Sequence, residues 1–385
     1  MRGVVPRSLL SLLVCALAAC PAPRPPPVHP LEPGGGTGNI TWIHASTAAE
    51  IPHTPPAPGT YRLHLIDVGT GLAILIQGAD FAMMYDAGTN DREEKPSRVA
   101  AYLAAALGPS GDDLCGPAAP GKRLTIENVV LSHPHFDHAS ALDLVLHCYE
   151  VHHFWDSGRI NATVFYRELL AAIGKATGLT YHTAADVPAD HEVTVKDTTL
   201  HIGTWERFSE GDVVKLGEGA QFTILHAEPK ALKDPNQNSV VIILQLGSTH
   251  VLLVGDAESG ERRDPSYPVG DVEEFLIDHH KAEIRADILQ VGHHGSKTSS
   301  RRAFLEAVHP SLALVSSGPK VYGHTVLPDR EVIDELHTLG ATVLRTDEHD
   351  DGCPESGKIG GDAGPGGCDS WVISIGSAPS PGSTR

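Results

Sequence analysis

The segment VVLSHPHFDHASALDLVL, residues 129–146, joins an apolar run, a cluster of metal-binding side chains and a helix-like run. His133, His135, Asp137 and His138 fall within six positions of one another. In an extended segment His133 and His135 project to the same side, and the other two follow as the chain turns into a helix. The pattern predicts a compact metal site at a strand end. A histidine-rich surface loop is the alternative, since the chain contains 23 histidines.

Two other apolar runs end in the same residue types. VLLVGD ends at Asp256, and ILQVGHHG ends in His293 and His294. Loops at strand ends carry functional residues more often than regular elements do, so we predict that the three sites meet. Adjacent side chains do not both point easily into one site. We therefore predict that His293 binds metal and that His294 lies behind it.

Short apolar runs separated by turn residues recur along the chain. LHLIDVG, LAILIQG and FAMMYDAG indicate consecutive strands, and SRVAAYLAAAL indicates a helix. Strands and then helices follow in two successive sets. This order predicts an α/β fold in which two mixed sheets pack together with helices outside, a four-layer αβ/βα sandwich. We place this domain at residues 61–376.

The first residues are typical of an export signal. MRGVVPRSLLSLLVCALAAC has Arg2 and Arg7, then an apolar run and small residues. LAAC resembles a lipobox, so we predict that residues 1–19 are removed and that Cys20 carries a lipid. An ordinary signal peptide with an incidental cysteine is the alternative. The lipid would attach an exported bacterial lipoprotein to a membrane of the cell envelope.

Amino-acid composition indicates the character of the segments on either side of the domain, and the net charge indicates which ligands it can bind. Residues 20–60 begin rich in Pro and Gly and are predicted to be a tether, and residues 377–385 a disordered tail. The net charge of −19 becomes −21 without the two arginines of the signal. So acidic a surface repels phosphodiester backbones, and no basic run is present. We expect a small-molecule or phosphodiester substrate rather than long nucleic acid.

Four cysteines lie beyond the signal. Cys115, Cys148, Cys353 and Cys368 form an even set, which in an oxidising compartment predicts two disulfides. Of the three possible pairings we favour the local one, Cys115 with Cys148 and Cys353 with Cys368. A zinc knuckle is the alternative, but no CxxC spacing supports it.

Taken together, these motifs resemble the metallo-β-lactamase superfamily. HxHxDH, a later Gly-Asp at a strand end and a still later strand-end histidine follow its order. LHLIDVGTGLAILIQ is similar to the DVGQGDA opening of the metallohydrolase domain of the competence protein ComEC, although Thr70 and Leu72 replace its Gln and Asp. The segments LSHPHFDHAS, NQNSVVIILQ, LLVGDAE, DILQVGHHGSKTSS and YGHTVLPDREVIDELHTLGATVLRTDE resemble later blocks of that domain. The resemblance covers about residues 61–348.

The resemblance implies a centre of two divalent metal ions. Mixed imidazole and carboxylate ligands suit Zn²⁺, with Mn²⁺ as the alternative. The residues that it assigns are His133 and His135 for the first ion, Asp137, His138 and His293 for the second, and Asp256 between them.

The resemblance also implies a metal-dependent hydrolase whose ions hold a hydroxide nucleophile. A phosphodiester is the implied substrate, which makes the protein similar to nucleases or phosphodiesterases. Asp137 and His324 are assigned to catalysis, with His324 entering from VYGHTVLP to bind a leaving group or phosphate. The alternatives are hydrolysis of a lactone, a β-lactam or another small ester or amide, or a non-catalytic metal-binding lipoprotein.

Further residues are predicted to support the metals. Superfamily members add a third histidine to the first ion from the loop before the Gly-Asp strand. In this chain that loop offers His226, for which a packed histidine is the alternative, and Asn238. Asp67 and Asp86 end early strands and are predicted to orient metal ligands or to cap turns.

The segment after the late histidines is predicted to meet the substrate. Ser296 follows a glycine that would allow the backbone to approach it closely, and Lys297 would pair with an anion. A solvated lysine is the alternative.

Overall fold

The structure is a computed structural model, and it describes residues 34–90, 97–115, 122–349, 359 and 367–376. The strands in the first half are β1 Gly34–Thr37, β2 Ile40–Ala45, β3 Tyr61–Leu65, β4 Ala73–Gln77, β5 Ala82–Ala87, β6 Thr125–Leu131, β7 Glu150–Asp156, β8 Thr180–Thr183, β9 Glu192–Val195, β10 Thr198–His201 and β11 Thr204–Arg207. Those in the second half are β12 Val213–Gly217, β13 Ala220–His226, β14 Val241–Leu246, β15 Thr249–Leu253, β16 Ile288–Gln290, β17 Leu312–Val315, β18 Val321–Tyr322, β19 Thr325–Val326, β20 Thr342–Arg345 and β21 Ser370–Ile375.

The helices connect these strands on the outside of the sheets. The α-helices are α1 Arg98–Leu107, α2 Phe136–Ala139, α3 Leu142–Cys148, α4 Val164–Lys175, α5 Asp271–His280, α6 Arg302–Val308 and α7 Arg330–Thr338. Short 3-10 helices lie at Ala48–Glu50, Pro235–Asn238 and Gly292–Gly295.

Two large mixed sheets form the centre of the molecule. The first has the strand order β1-β2-β21-β3-β4-β5-β6-β7-β8-β11, and the second has β12-β13-β14-β15-β16-β17-β20. The pairs from β5 to β11 in the first sheet are parallel, as are those from β15 to β20 in the second. Parallel strands end at the same edge, so this topology collects their carboxyl-terminal loops on one side.

Three apolar clusters separate four layers. The cluster between the sheets includes Leu63, Ile74 and Phe222, all buried. A second cluster packs α1, α3 and α4 against the first sheet, and a third packs α5, α6 and α7 against the second. Apolar area removed from water on both faces of each sheet stabilises this arrangement. The predicted four-layer αβ/βα sandwich is confirmed.

The predicted start of the domain at residue 61 is wrong. Strand β2 pairs along its whole length with β21, from Ile40 opposite Ile375 to Ala45 opposite Ser370. Ile40, Ala45 and Ile51 are buried, so part of the predicted tether belongs to the core. The partner strand lies at the other end of the chain, which local sequence does not reveal.

The predicted signal, Cys20 and the tail at 377–385 lie outside the described residues. Among the residues that are described, no helix has both the length and the apolarity needed to cross a bilayer.

The disulfide between Cys115 and Cys148 is confirmed, and it ties the segment after α1 to the end of α3. Cys368 is also disulfide-bonded. Its predicted partner Cys353 lies outside the described residues, so that pairing stays a prediction.

Candidate metal centre

The three predicted sites meet at one edge of the sandwich. In the first sheet, β6 leads directly into His133, and α2 begins at Phe136. In the second sheet, Asp256 follows β15 and the two adjacent histidines follow β16. Each sheet therefore contributes part of the site, and the packing of the two sheets sets the distances between them.

The HxHxDH turn lies directly against the end of β5. A Cβ atom at Gly88 would lie 2.5 Å from the carbonyl carbon of Asp137 and from the amide nitrogen of His138. The amide of Leu72 donates to the Asp137 carbonyl at 2.9 Å. Since any side chain at Gly88 would displace this backbone, the glycine lets the ligand-bearing turn sit close to the sheet.

The side chains converge in two groups that share His138. Nε2 of His138 lies 3.1 Å from Oδ1 of Asp256, and Nε2 of His133 lies 3.8 Å from the other oxygen of that carboxylate. The first group is His133, His138 and Asp256; the second is Asp137, His138 and His294, and within each the ligand atoms lie within 4.8 Å of one another. His135 joins the first group through Nδ1, 2.9 Å from Nε2 of His133.

The donor set fits divalent metal ions. Nε2 of His138, Oδ1 of Asp256 and Nε2 of His294 are buried. The first two lie 3.1 Å apart, and none of the three has another hydrogen-bond partner within the described part of the chain. Buried polar atoms with too few partners cost free energy, on the order of 1–3 kcal/mol each. Imidazole nitrogens and carboxylate oxygens are the ligands that Zn²⁺ takes in proteins, so a cation would satisfy these atoms together.

Asp86 orients His138. Its carboxylate accepts from Nδ1 of His138 at 2.7 Å and from the amide and hydroxyl of Ser132, both at 2.7 Å. With Nδ1 held by Asp86, Nε2 of the same ring faces Asp256. This contact is the one predicted for a carboxylate that orients a metal ligand.

The charge states of the histidines differ. Burial acts to lower the pKa of His138 and of His293, but the nearby carboxylates, Asp256 first, outweigh it and raise both, that of His293 to about 9, so a cation would have to displace these protons. Burial lowers the pKa of His133 and of His135, so both imidazoles are neutral near pH 7, as metal ligation requires. Burial acts to raise the pKa of Asp256, but the neighbouring histidines, His138 first, outweigh it and hold the pKa well below the usual range. The central carboxylate is therefore ionised at neutral pH.

Both adjacent histidines face Asp256 at the same distance, so the expectation that they would not both point easily into one site is wrong. Nε2 of His293 and Nε2 of His294 each lie 3.8 Å from Oδ2 of Asp256. Both residues have left-handed backbone conformations, with φ of 48° and 54°, which turn the two rings the same way. Nδ1 of His293 meets Glu258 at 2.6 Å, and Nδ1 of His294 lies 2.8 Å from the carbonyl of Ser316.

The predicted placement of His294 behind the site is therefore corrected. Nε2 of His294 lies 3.7 Å from Oδ2 of Asp137. His294 belongs to the second group, with Asp137 and His138, and His293 does not.

The loop before the Gly-Asp strand supplies no ligand to these groups, which corrects two candidates. His226 bonds through Nδ1 to the carbonyl of Ser239 at 2.8 Å, and its ring packs on Phe275. The amide of Asn238 is used by its own loop, accepting from the Leu232 amide at 2.9 Å and donating to the Lys230 carbonyl at 2.7 Å. Because both ends of that amide are engaged, Asn238 shapes the loop.

Asp67 caps a turn rather than orienting a ligand. Its carboxylate accepts from the amides of Gly69 at 2.9 Å, Cys368 at 2.8 Å and Asp369 at 3.0 Å. The residue thus ties the end of β3 to the segment that enters β21. Of the two roles considered for it, the capping role is the one that the contacts support.

The two residues predicted to meet substrate are engaged in the scaffold. Ser296 is 1% exposed, and its hydroxyl accepts from Arg262 at 3.1 Å. The Lys297 ammonium lies 2.6 Å from Glu331, which offsets its charge. Protein groups therefore engage both side chains, while the predicted approach of the backbone at Ser296 to a substrate stays a prediction.

Tyr322, which the sequence did not single out, contacts the centre. Its hydroxyl donates to Oδ2 of Asp137 at 3.2 Å, and Asn90 donates to both that oxygen and the tyrosine hydroxyl. The predicted residue His324 is exposed in the turn between β18 and β19, and no hydrogen bond joins it to the centre within the described residues. Reading VYGHTV as a two-residue hairpin with Gly323 at positive φ would have placed the turn correctly.

Comparison with known proteins agrees with the family resemblance. Residues 66–166 match the metallo-β-lactamase superfamily model. Recombination protein 2 of Haemophilus influenzae is 26% identical over 287 residues, 74% of this chain and 28% of that protein. ComE operon protein 3 of Bacillus subtilis is 31% identical over 144 residues, covering 37% of this chain and 17% of that protein. Competence protein ComA of Neisseria gonorrhoeae is 26% identical over 353 residues, 90% of this chain and 38% of that protein. The chain thus spans less than half of each relative.

Similarity to solved structures is low. The metallo-β-lactamase fold protein YhfI from Bacillus subtilis has a TM-score of 0.38 at 13% identity, over 74% of this chain and 95% of that one. Igni18, a metallo hydrolase from Ignicoccus hospitalis, has a TM-score of 0.40 at 12% identity, over 75% of this chain and 96% of that one.

We expect Asp86→Asn to weaken metal binding by about 10- to 100-fold. An amide at this position presents N–H to Nδ1 of His138 and favours the tautomer whose Nε2 carries a proton, which blocks ligation. Competition with a chromophoric chelator measures the affinity. Asp112→Asn is the matched control, since it removes a carboxylate from a surface His147 pair of 2.8 Å. An affinity within twofold of the unsubstituted protein would contradict the orienting role.

Proposed function

We propose that the chain is a metal-dependent hydrolase of the metallo-β-lactamase superfamily acting on a phosphodiester; the match of residues 66–166 to that family and the similarity to competence proteins support this. The observation that carries this proposal is the convergence of buried nitrogen and oxygen atoms from both sheets. Within the described residues, Nε2 of His138 and Oδ1 of Asp256 have only each other, 3.1 Å apart, and Nε2 of His294 has no hydrogen-bond partner. Such atoms are satisfied together by divalent cations, which is what hydrolysis at this kind of centre requires.

The residues would hold two cations. His133 and His135 would hold the first, and Asp137, His138 and His294 would hold the second. The carboxylate of Asp256 would be shared by the pair. We assign the third imidazole of the first cation to His293, whose Nε2 lies as far from Oδ2 of Asp256 as that of His133 does.

When bound, two such cations supply a hydroxide near neutral pH and polarise the phosphoryl oxygen. The protein's part is to keep the ligand rings fixed, which Asp86 does for His138 and Glu258 does for His293. Zn²⁺ is the proposed metal and Mn²⁺ the alternative.

The rim of the centre favours a compact substrate with an apolar or planar group. Phe136, within the HxHxDH motif, is 44% exposed and stacks edge-on against Phe165 at 5.0 Å. Ile160 and Val164 are also exposed, and the neighbouring Asn161 bonds to the carbonyl of Pro134 beside Phe136. The net charge of −19 favours short phosphodiesters over long nucleic acid.

A substrate panel tests the proposal. The purified protein, loaded with Zn²⁺ or Mn²⁺, is assayed with bis-p-nitrophenyl phosphate, a dinucleotide, single-stranded DNA, plasmid, a lactone and nitrocefin. We expect turnover of the small phosphodiesters, its loss in Asp256→Asn, and full retention in the surface control His147→Ala. Failure to turn over any phosphodiester with either metal would overturn the phosphodiester assignment. Turnover of the lactone or nitrocefin alone would select the ester or amide alternative.

We further propose that the Tyr322 hydroxyl donates a hydrogen bond to a substrate oxygen at the centre. Its support is the 3.2 Å contact with Asp137 and its position on the β18–β19 hairpin beside the ligands. Tyr322→Phe is expected to lower kcat by at least roughly 10-fold, since removing one such donor costs about 10²–10³ in known cases. Metal content and KM are expected to change little.

His324→Ala, measured in parallel, distinguishes the two residues of the hairpin. The tyrosine proposal expects nearly unchanged kcat for this variant. A large loss in His324→Ala with a near-normal Tyr322→Phe would restore the sequence-based assignment and refute the role of Tyr322.

We also propose that the domain is held at a membrane of the cell envelope by a lipid on Cys20. The support is the lipobox-like LAAC and the apolar run before it. Expression of the full chain in a bacterial host with labelled palmitate is expected to label the protein, and Cys20→Ser to abolish the label and release the protein from membranes. Equal membrane retention and labelling of Cys20→Ser would contradict the anchor.

A further inference from the structure

A second cluster of metal-type ligands lies where the ends of the chain meet. Nε2 of His44, on β2, lies 2.9 Å from Oδ1 of Asp369, just before β21. Nδ1 of His349, after β20, lies 3.0 Å from the same oxygen. Three separate segments, one of them more than 300 residues from the other two, thus bring two imidazole nitrogens to one carboxylate oxygen, and the three atoms lie within 4.8 Å of one another.

The carboxylate at the middle of this cluster is held in place. Asp369 is 1% exposed, and its Oδ2 accepts from the His349 amide at 2.6 Å. The amide of Asp369 in turn donates to Asp67 at 3.0 Å. The ring of His44 packs on Trp371 with 5.0 Å between centroids. The oxygen that faces the two imidazoles is therefore fixed before any ligand arrives.

The surroundings favour a cation. Arg345 pairs through two hydrogen bonds with Asp347, which offsets the charge of both. Glu348 lies 3.8 Å from that arginine and is largely buried, so with Asp369 the acidic groups outnumber the basic one. The side chain of His44 is 18% exposed and that of His349 is 39% exposed. A cation could therefore reach them from solvent and keep water ligands.

We propose that His44, His349 and Asp369 bind a divalent cation, Zn²⁺ in preference to Mg²⁺ or Ca²⁺. Two nitrogens and one carboxylate oxygen with open positions form a ligand set that suits Zn²⁺, whereas Mg²⁺ and Ca²⁺ prefer oxygen ligands. The cation would join β2 to the segments that flank β20 and β21.

This site is separate from the candidate metal centre. In the first sheet, β21 lies four strand spacings from β6, which is roughly 20 Å at ~4.8 Å per spacing. Neither histidine has a role in the proposed hydrolysis. The cation would instead stabilise the point where the amino-terminal strand enters the sheet, as structural metals do in other folds.

Metal counting tests the site. The full-length protein is stripped of metal, titrated with Zn²⁺, desalted and analysed by mass spectrometry for bound zinc. We expect His349→Ala to bind one equivalent fewer than the unsubstituted protein, and His44→Gln to do the same. A variant disabled at the main centre, His133→Ala with Asp256→Asn, is expected to retain one equivalent. The control His147→Ala, which removes an exposed histidine paired with Asp112, is expected to lose none.

Thermal unfolding separates a metal site from a hydrogen-bonded cluster. If zinc binds, adding it to the variant disabled at the main centre raises Tm, and adding His349→Ala to that variant abolishes the rise. Co²⁺ in place of Zn²⁺ is expected to give a d–d absorption band that His349→Ala removes. Equal zinc content in His349→Ala and its parent, with a Tm lowered equally with and without zinc, would show hydrogen bonding only and overturn the proposal.

Discussion

The centre depends on a dense set of histidines and aspartates being kept out of water. Asp86, His138 and Asp256 form a buried chain in which each carboxylate faces one nitrogen of the same imidazole. Taking a single charge out of water costs several kcal/mol unless an opposite charge and hydrogen bonds accompany it. On the Nδ1 side of the His138 ring, the hydrogen bonds that Ser132 and His138 make with Asp86 stabilise this buried charge. On the other side, the atoms around Asp256 are arranged for a cation.

This requirement ties the site to the packing of the two sheets. The HxHxDH turn belongs to the first sheet, while Asp256 and the adjacent histidines belong to the second. Their separation is set by the apolar cluster between the sheets, and close-packed interiors transmit even small changes in volume. The ligand-bearing turn is further fixed by its contact with Gly88, where no side chain can be accommodated. The geometry of the centre is therefore a property of the whole sandwich.

Local pattern was sufficient for the parts of the site that lie within one segment. The HxHxDH residues, Asp256 and the late histidines follow apolar runs with clear strand character, and loops at strand ends commonly carry functional residues. The local sequence pattern did not predict the role of a residue whose partner is distant in the sequence or lies in an irregular loop. Asp67 binds the amides of residues 367–369, Lys297 is paired with Glu331, and Asn238 is used by its own loop. All three are residue types that are common in functional sites. Each instead pairs with another protein group, and the spacing of residues along the chain does not identify that partner.

The sequence by itself determined the class of fold and the identity of most candidate metal ligands, because each depends on short-range periodicity or residue chemistry; among the three possible cysteine pairings it only favoured the one that the structure shows for Cys115 and Cys148. Only the tertiary structure decided which ligands face each other. It turned both His293 and His294 toward Asp256 through left-handed backbone conformations, brought Tyr322 rather than His324 to Asp137, and joined β2 to β21 across the ends of the chain. These outcomes arise from backbone torsion angles and from contacts between segments hundreds of residues apart, and neither is encoded in any local pattern.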